Sequence, residues 1–411
     1  MPKTVKEING QVAFGSVVHL CTARSKDPAA DGLDRFIGLE HLDPSDLRIR
    51  RWGRVEDGTT FTNRFSSGQV LFGKRRAYQR KVGVADFEGV CSGDIYVFEP
   101  KDPAVFLPGL LPFVCQTESF FEYAVGTSAG SLSPRTDWKH LVRYRLALPT
   151  PGEQKRSLKA LQAVEANLRA AQDLLDATIE ARESLTQWYA TAGGQPLAED
   201  GTVPLTELPS EWSRKSLADL CAGAGTALGI GPFGSDLVAK DYAHTEGTPV
   251  VFVADVVRHQ FQYTSEKYVT AEKHAQLAAH EALTGDVLVT KMGWPPGEAC
   301  VVPDDFGPAV VTADVIRIRA NSDLVVNHYL AAILNSHWGQ QQIVRVSPGT
   351  TRPKTTLRDF SKIHVALPPR PAQDEATAEL LAVQDQVEML QARVEAARDI
   401  KTSVLQELLG G

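Results

Sequence analysis

One segment occurs twice in this chain of 411 residues, and that repetition constrains the fold more than any other feature. Pro151 to Tyr189 has a near copy in Pro371 to Leu409. Laying Gly130 on Gly349 and stepping forward without a gap puts Pro134 on Pro353, Arg135 on Lys354, Ala147-Leu148-Pro149 on Ala366-Leu367-Pro368, and Leu185 on Val404. Within each copy the apolar residues recur at alternating steps of three and four. The first set is Leu161, Val164, Leu168, Ala171, Leu175, Thr178 and Leu185; the second is Leu380, Val383, Val387, Leu390, Val394, Ala397, Val404 and Leu408. A period of about 3.5 residues is the seam of a coiled coil rather than the wider stripe of a helix lying on a core. Each seam is interrupted at the same place by a base, Arg182 and Lys401, which suggests a shared register device or an exposed end.

The repeat divides the chain into a globule over 1–149, a spacer helix over 150–192, a linker over 193–209, a second globule over 210–368 and a second helix over 369–411. The globules share a scaffold. Ser67-Gly68-Gln69-Val70-Leu71-Phe72-Gly73-Lys74 is echoed by Thr284-Gly285-Asp286-Val287-Leu288-Val289-Thr290-Lys291, and Ser92-Gly93-Asp94-Ile95-Tyr96 by Thr312-Ala313-Asp314-Val315-Ile316. These segments predict strands, as do Phe36 to Leu39, Leu47 to Arg50 and Arg145 to Leu148; Asn327 to Trp338 predicts a helix. The fold class is therefore α+β: two similar globules of mixed or antiparallel sheet with helices, separated by two long helices that pair as an antiparallel coiled coil with pseudo-two-fold symmetry.

Net charge is −7, yet residues 1–149 carry +3 while 150–200 and 369–411 carry −3 and −4. Positive charge is thus concentrated in clusters on the globules, and such clusters can bind phosphate whatever the total. Lys74, Arg75, Arg76, Tyr78, Arg80 and Lys81 place five cations around one aromatic, the composition of a loop that tracks phosphates or enters a groove. In the second globule Met292-Gly293-Trp294-Pro295-Pro296-Gly297 replaces that run beyond Lys291. Shared frames with divergent tips suit two readers of different sequences. A hydroxyl and a glycine kept beside a cation in both copies, Ser128 and Ser133 with Arg135 and Lys139, and Ser347 with Arg352 and Lys354, suit phosphate contact as well.

Other motifs fail on context. Gly126-Thr127-Ser128-Ala129-Gly130 matches the nucleophile elbow of hydrolases, but Leu132-Ser133-Pro134 follows where a helix must begin. Gly229-Ile230-Gly231-Pro232-Phe233-Gly234 matches a dinucleotide fingerprint, with Pro232 in its middle and no buried strand before it. Trp294-Pro295-Pro296-Gly297 lacks the Asn or Asp of an amino-methyltransferase. The histidines show no ligand spacing, and His274 and His280 read as solvated on a polar helix, so no metal site is expected. Five scattered cysteines fit reduced thiols in a cytoplasmic protein. No apolar run could cross a membrane, and Met1 to Glu7 lacks the core of a signal peptide.

Phe36-Ile37-Gly38-Leu39-Glu40-His41-Leu42, the strand and basic loop from Gly68 to Val84, Cys91-Ser92-Gly93-Asp94, Leu148-Pro149-Thr150-Pro151-Gly152-Glu153-Gln154 and Gly231-Pro232-Phe233-Gly234-Ser235-Asp236-Leu237 occur in an order that resembles the specificity (S) subunit of type I restriction–modification enzymes. The resemblance covers essentially the whole chain. It implies two target-recognition domains, two pairing spacer helices, and a double-stranded DNA target in two halves whose unread spacer is set by helix length. It further implies two modification subunits that methylate adenine with S-adenosylmethionine, and restriction subunits that use ATP and Mg, all docking on the helices. The chain itself would hold no cofactor and perform no chemistry. One departure stands out: Pro371-Ala372-Gln373-Asp374 lacks the family's Glu-Gln pair. The rival readings are a coiled-coil scaffold joining two peptide-binding domains, and a serine hydrolase using Ser128.

Overall fold

The structure, a computed structural model, describes residues 11–193, 208–223, 227–349 and 351–410. Most of the expected linker, 194–207, and the first ten residues lie outside them. The chain forms two compact units, Met1–Gln172 with Ala392–Gly411, and Asp173–Gln391.

Each unit is built on the same three sheets. In the first unit a four-stranded sheet runs Val18–Leu20, Ile95–Pro100, Val70–Gly73, Val82–Val84; in the second its counterpart runs Leu228–Ile230, Val315–Ile318, Val287–Thr290, Ala299–Val301. All neighbours in these two sheets are antiparallel. A second sheet orders Gly53–Arg54, Arg35–Ile37, Gly89–Cys91, Asn63–Phe65 against Tyr268–Val269, Thr248–Val251, Ala309–Val311, Glu281–Ala282, and in both its central pair is parallel. The third is a ribbon, Gln11–Ala13 with Arg145–Ala147 and Ser213–Ser216 with His364–Leu367. Strand Val70–Gly73 is buried at every position, and so is its counterpart Val287–Thr290. Their continuous apolar runs, covered on both faces, make them the centres of their sheets.

Two expected elements differ. Leu47 to Arg50 is not a strand; it makes one isolated bridge, Arg48 to Val84. The Asp46 carboxylate explains this, since it accepts from the Arg48 N–H at 2.8 Å and the Arg50 side chain at 3.0 Å, a local alternative to ladder pairing. The helix expected from Asn327 to Trp338 is two, Asn327–Asn335 and His337–Arg345, because the Ser336 hydroxyl accepts from Gly339 N–H at 3.0 Å and caps a new helix.

The long helices run Pro151–Ala190 and Arg370–Leu409. At about 1.5 Å per residue each is about 60 Å long. They pair antiparallel within each unit. In the first, Lys401 Nζ lies 2.8 Å from Glu165 Oε2; in the second, Arg182 donates to Gln384 Oε1 at 2.7 Å and Tyr189 to Glu379 at 2.8 Å. Glu165 and Gln384 are equivalent positions of the repeat, as are Arg182 and Lys401. Each base therefore meets the residue equivalent to the other's partner, as an antiparallel duplicate requires. Arg182 and Lys401 are buried inside the seam and do not mark an exposed end. The seam also takes Glu165 rather than Val164 and Thr186 rather than Leu185.

The two helix starts are equivalent despite the missing Glu-Gln pair. Gln154 accepts from Leu107 N–H and donates to the carbonyls of Val105 and Pro149; Gln373 accepts from Val326 N–H and donates to those of Leu324 and Pro368. Both side chains are buried, so truncation strands three backbone groups. Gln373→Ala is expected to cost roughly 2–3 kcal/mol, read as a lower urea midpoint, and Gln373→Glu not to rescue it, because an acceptor-only carboxylate cannot donate.

Near the end of the first long helix, Glu183 meets Arg258 at 2.6 Å and His259 at 3.7 Å. Burial works against the Glu183 carboxylate, but the His259 and Arg258 partners outweigh it and hold its pKa at about 2. Burial also lowers His259 below its ordinary 6.5, against the pull of Glu183. Both folded-state values are depressed, so the stability they lend is complete above about pH 6.5 and is lost as pH falls, first through His259 and then through Glu183 between 4.5 and about 2. His259→Gln should flatten the fall of the melting midpoint just below pH 6.5.

Candidate nucleic-acid interface

The end of the central strand positions the tip of each unit. In the first, the Lys74 N–H donates to the Asp94 carbonyl at 2.9 Å and the Lys74 carbonyl accepts from Thr136 N–H at 3.0 Å. In the second, Lys291 N–H donates to Asp314 at 2.8 Å and its carbonyl accepts from Thr355 N–H at 3.2 Å. Gly130 and Gly349 sit at φ 108° and 122°, a region other residues rarely adopt, and turn the chain back so that Arg135 and Lys354 come beside these strands.

A carboxylate organises each tip. Asp94 accepts from Arg135 at 2.8 Å and Arg75 at 3.4 Å, and Asp314 pairs with Lys354 at 2.6 Å. Burial raises the Asp94 carboxyl, but the bonds from Arg135 and Arg75 prevail and leave it below its ordinary value. The Ser133 hydroxyl accepts from Arg75 at 3.1 Å and from Arg76 at 3.2 Å. Arg76 itself has φ 53°, and its N–H is fixed by the Pro134 carbonyl at 2.7 Å. The Lys74 ammonium stands 4.7 Å from the Tyr96 ring centre. Arg75 and Arg135 thus share the Asp94 carboxylate, Arg76 joins Arg75 at Ser133, and Tyr78 nearby in the chain is 55% exposed. The sequence repeats Asp94 and Asp314 in its Gly93-Asp94 and Ala313-Asp314 echoes, a signal that could have assigned them this role.

The remaining expected contacts are placed differently. Arg80 pairs with Glu118 and lies 5.3 Å from the Phe121 ring centre, while Lys81 donates to the Leu39 carbonyl at 2.7 Å. Ser128 and Ser347 donate to the carbonyls of Ala124 and Ile343, at 2.7 and 2.6 Å, closing the ends of their helices. Lys139 pairs with its own helix cap, Asp137, at 3.0 Å. Lys291 is buried with its ammonium 5.3 Å from the Phe233 ring centre, and burial, aided by Lys354, lowers its pKa. Arg352 is exposed and has no ion-pair partner among the described residues. It shares the lining of a cavity of about 760 Å³ with Trp294, Asp314, Tyr242 and Phe252. The second tip therefore offers aromatics, Trp294 at 74% and Phe233 at 61% exposure, where the first offers arginines.

Ser128 makes no elbow: it follows the helix Glu118–Gly126 instead of preceding one. The glycine-rich run Gly229 to Gly234 begins in a short edge strand and ends in a single 3-10 turn, without the helix a dinucleotide site needs. His274 and His280 are bonded, to Glu281 at 2.9 Å and the Ile230 carbonyl at 2.6 Å, and neither is freely solvated. All five cysteines are unpaired, and no helix of the described residues is long and apolar enough to cross a membrane.

A duplicated α+β frame, joined to antiparallel long helices and bearing different side chains at the equivalent strand ends of each copy, defines the fold class. It is the fold of type I restriction–modification S subunits. The S subunit from M. genitalium superposes with a TM-score of 0.56 at 12% identity, over 99% of this chain and 97% of that one. A chain from a structural study of complex assembly and conformational transition in a type I R-M system superposes at 0.51 with 17% identity, over 97% and 96%. In sequence the chain is similar to the specificity subunit of the Escherichia coli type I restriction enzyme EcoDI, 26% identical over 177 residues. That match spans 43% of this chain and 36% of the relative, about a third of its length. No family model matches.

Proposed function

We propose that this chain is a DNA sequence-specificity subunit of a type I restriction–modification complex, each unit reading one half of a bipartite target. The observation that carries the reading is the pair of equivalent tips, Lys74–Asp94–Arg135 and Lys291–Asp314–Lys354, built by the same strand ends and surrounded by different side chains. In the first, the guanidinium groups of Arg75 and Arg76, both drawn to the Ser133 hydroxyl, are of the type that suits the acceptors of guanine, and Lys74 suits phosphate. In the second, Trp294 and Arg352 suit apolar and cationic contact. Two modification subunits, supplying S-adenosylmethionine, and ATP- and Mg-using restriction subunits would dock on the long helices. This chain would hold no cofactor, carry out no catalysis and work in the cytoplasm, where its DNA lies.

Titrating duplex DNA into the assembled complex at increasing salt tests this against a peptide-binding scaffold. Affinity should fall linearly on a log–log plot, with a slope of about 0.9 per phosphate neutralised. A salt-independent affinity would remove DNA from the account. Against a hydrolase, no labelling of Ser128 by a serine-reactive probe is expected, since its hydroxyl is committed to the Ala124 carbonyl.

A further inference from the structure

On the edge strand Val18–Leu20 of the first unit, His19 and Cys21 stand two residues apart and so project from one face. His19 is registered opposite Glu99 on the neighbouring strand, and the Cys21 N–H continues that pairing to Val97 at 2.9 Å. An imidazole nitrogen, a thiol sulfur and a carboxylate oxygen thereby lie within 4.8 Å of one another. Gln69 holds two of them in place, donating to Glu99 at 2.8 Å and to Cys21 Sγ at 3.3 Å.

We propose that His19, Cys21 and Glu99 form a binding site for a borderline-soft divalent cation, Zn²⁺ by ligand type, with water completing the coordination. Nitrogen, sulfur and oxygen ligands in this combination are those of three-residue zinc sites with an open fourth position. Tetrahedral coordination sets ligand atoms about 3.3–3.8 Å apart, so a small side-chain rotation closes the widest gap. Burial and then the adjacent Glu99 push the Cys21 thiol up to about 12, which keeps it protonated while the site is empty. A dication reverses that field: the thiol proton leaves to solvent as the sulfur–metal bond forms, and affinity rises with pH. Glu99 lies five residues along its strand from Asp94, about 17 Å away, so the ion would clamp the sheet edge and leave the DNA-facing tip untouched. The site is independent of the proposed DNA function.

Only His19-x-Cys21 is visible in the sequence, because the third ligand is supplied from across the sheet. The test is a Co²⁺ titration of the full chain after chelator treatment. A near-ultraviolet sulfur-to-cobalt charge-transfer band should grow to one equivalent and disappear when Zn²⁺ displaces the cobalt. It should be lost in Cys21→Ser and kept in Cys221→Ser. His19 is exposed, so His19→Ala leaves the fold intact and should weaken binding by at least about tenfold, the loss that even outer-shell changes cause. Absence of the band, its survival in Cys21→Ser, or unchanged affinity in His19→Ala would overturn the site.

Discussion

Lys401→Met is expected to destabilise the protein by about 3 kcal/mol, because it strips the buried Glu165 Oε2 of its ammonium partner and leaves only the half-exposed Arg169, 3.2 Å from Oε1, beside the carboxylate. Both side chains of that pair are 6% exposed, so water cannot take the place of the missing ammonium. The substitution also frees the Ser45 carbonyl, to which Lys401 donates at 3.0 Å. Glu165→Leu should cost a similar amount for the converse reason. The double variant Glu165→Leu, Lys401→Met should recover most of the loss, since an apolar layer of similar volume fits a coiled-coil seam. Equilibrium unfolding of the four proteins measures the coupling; additive losses would mean that the two side chains do not act as a pair. At the equivalent layer of the other unit, Arg182 faces neutral Gln384 and has Glu183 beside it at 3.0 Å. Arg182→Met there should be milder, because no carboxylate is left stranded in the seam.

The second large effect is on recognition. Replacing Lys74, Arg76 and Arg135 by Ala together should weaken DNA binding by the assembled complex on the order of 10³-fold, at roughly 1–3 kcal/mol for each contact. Lys139→Ala, whose side chain is 69% exposed and paired only with Asp137, should change affinity less than about twofold, the range of a surface ion pair. The contrast between the triple variant and this control separates a shaped tip from a merely basic surface. Equal effects per charge removed would mean that only total charge matters.

Much of the architecture is legible in the residues alone. A seam with a period of about 3.5 needs only local spacing, so both long helices and their pairing follow from it. The repeated apolar runs Val70-Leu71-Phe72 and Val287-Leu288-Val289 give the central strands for the same reason. What the sequence leaves open is set by partners far along the chain. Glu165 reads as an exposed neighbour of Val164 until Lys401, across the seam, draws it inward. Arg80 reads as one of five equal cations until Glu118 claims it. The hydroxyls of Ser128 and Ser347 look available for phosphate, yet a helix carbonyl four residues back satisfies each. Leu47 to Arg50 alternates like a strand, but Asp46 offers its backbone a nearer partner.

The central claim is that two tips of different chemistry on one frame each read their own half of a DNA target. Mapping methylated adenines in the DNA of cells that carry the complex tests it directly, comparing the native chain with one in which the Lys74 to Lys81 loop is replaced by that of a relative. The account predicts a bipartite motif whose one half changes with the loop while the other, assigned to the Trp294 and Arg352 tip, stays fixed. An unchanged map, or one in which both halves change together, would contradict it.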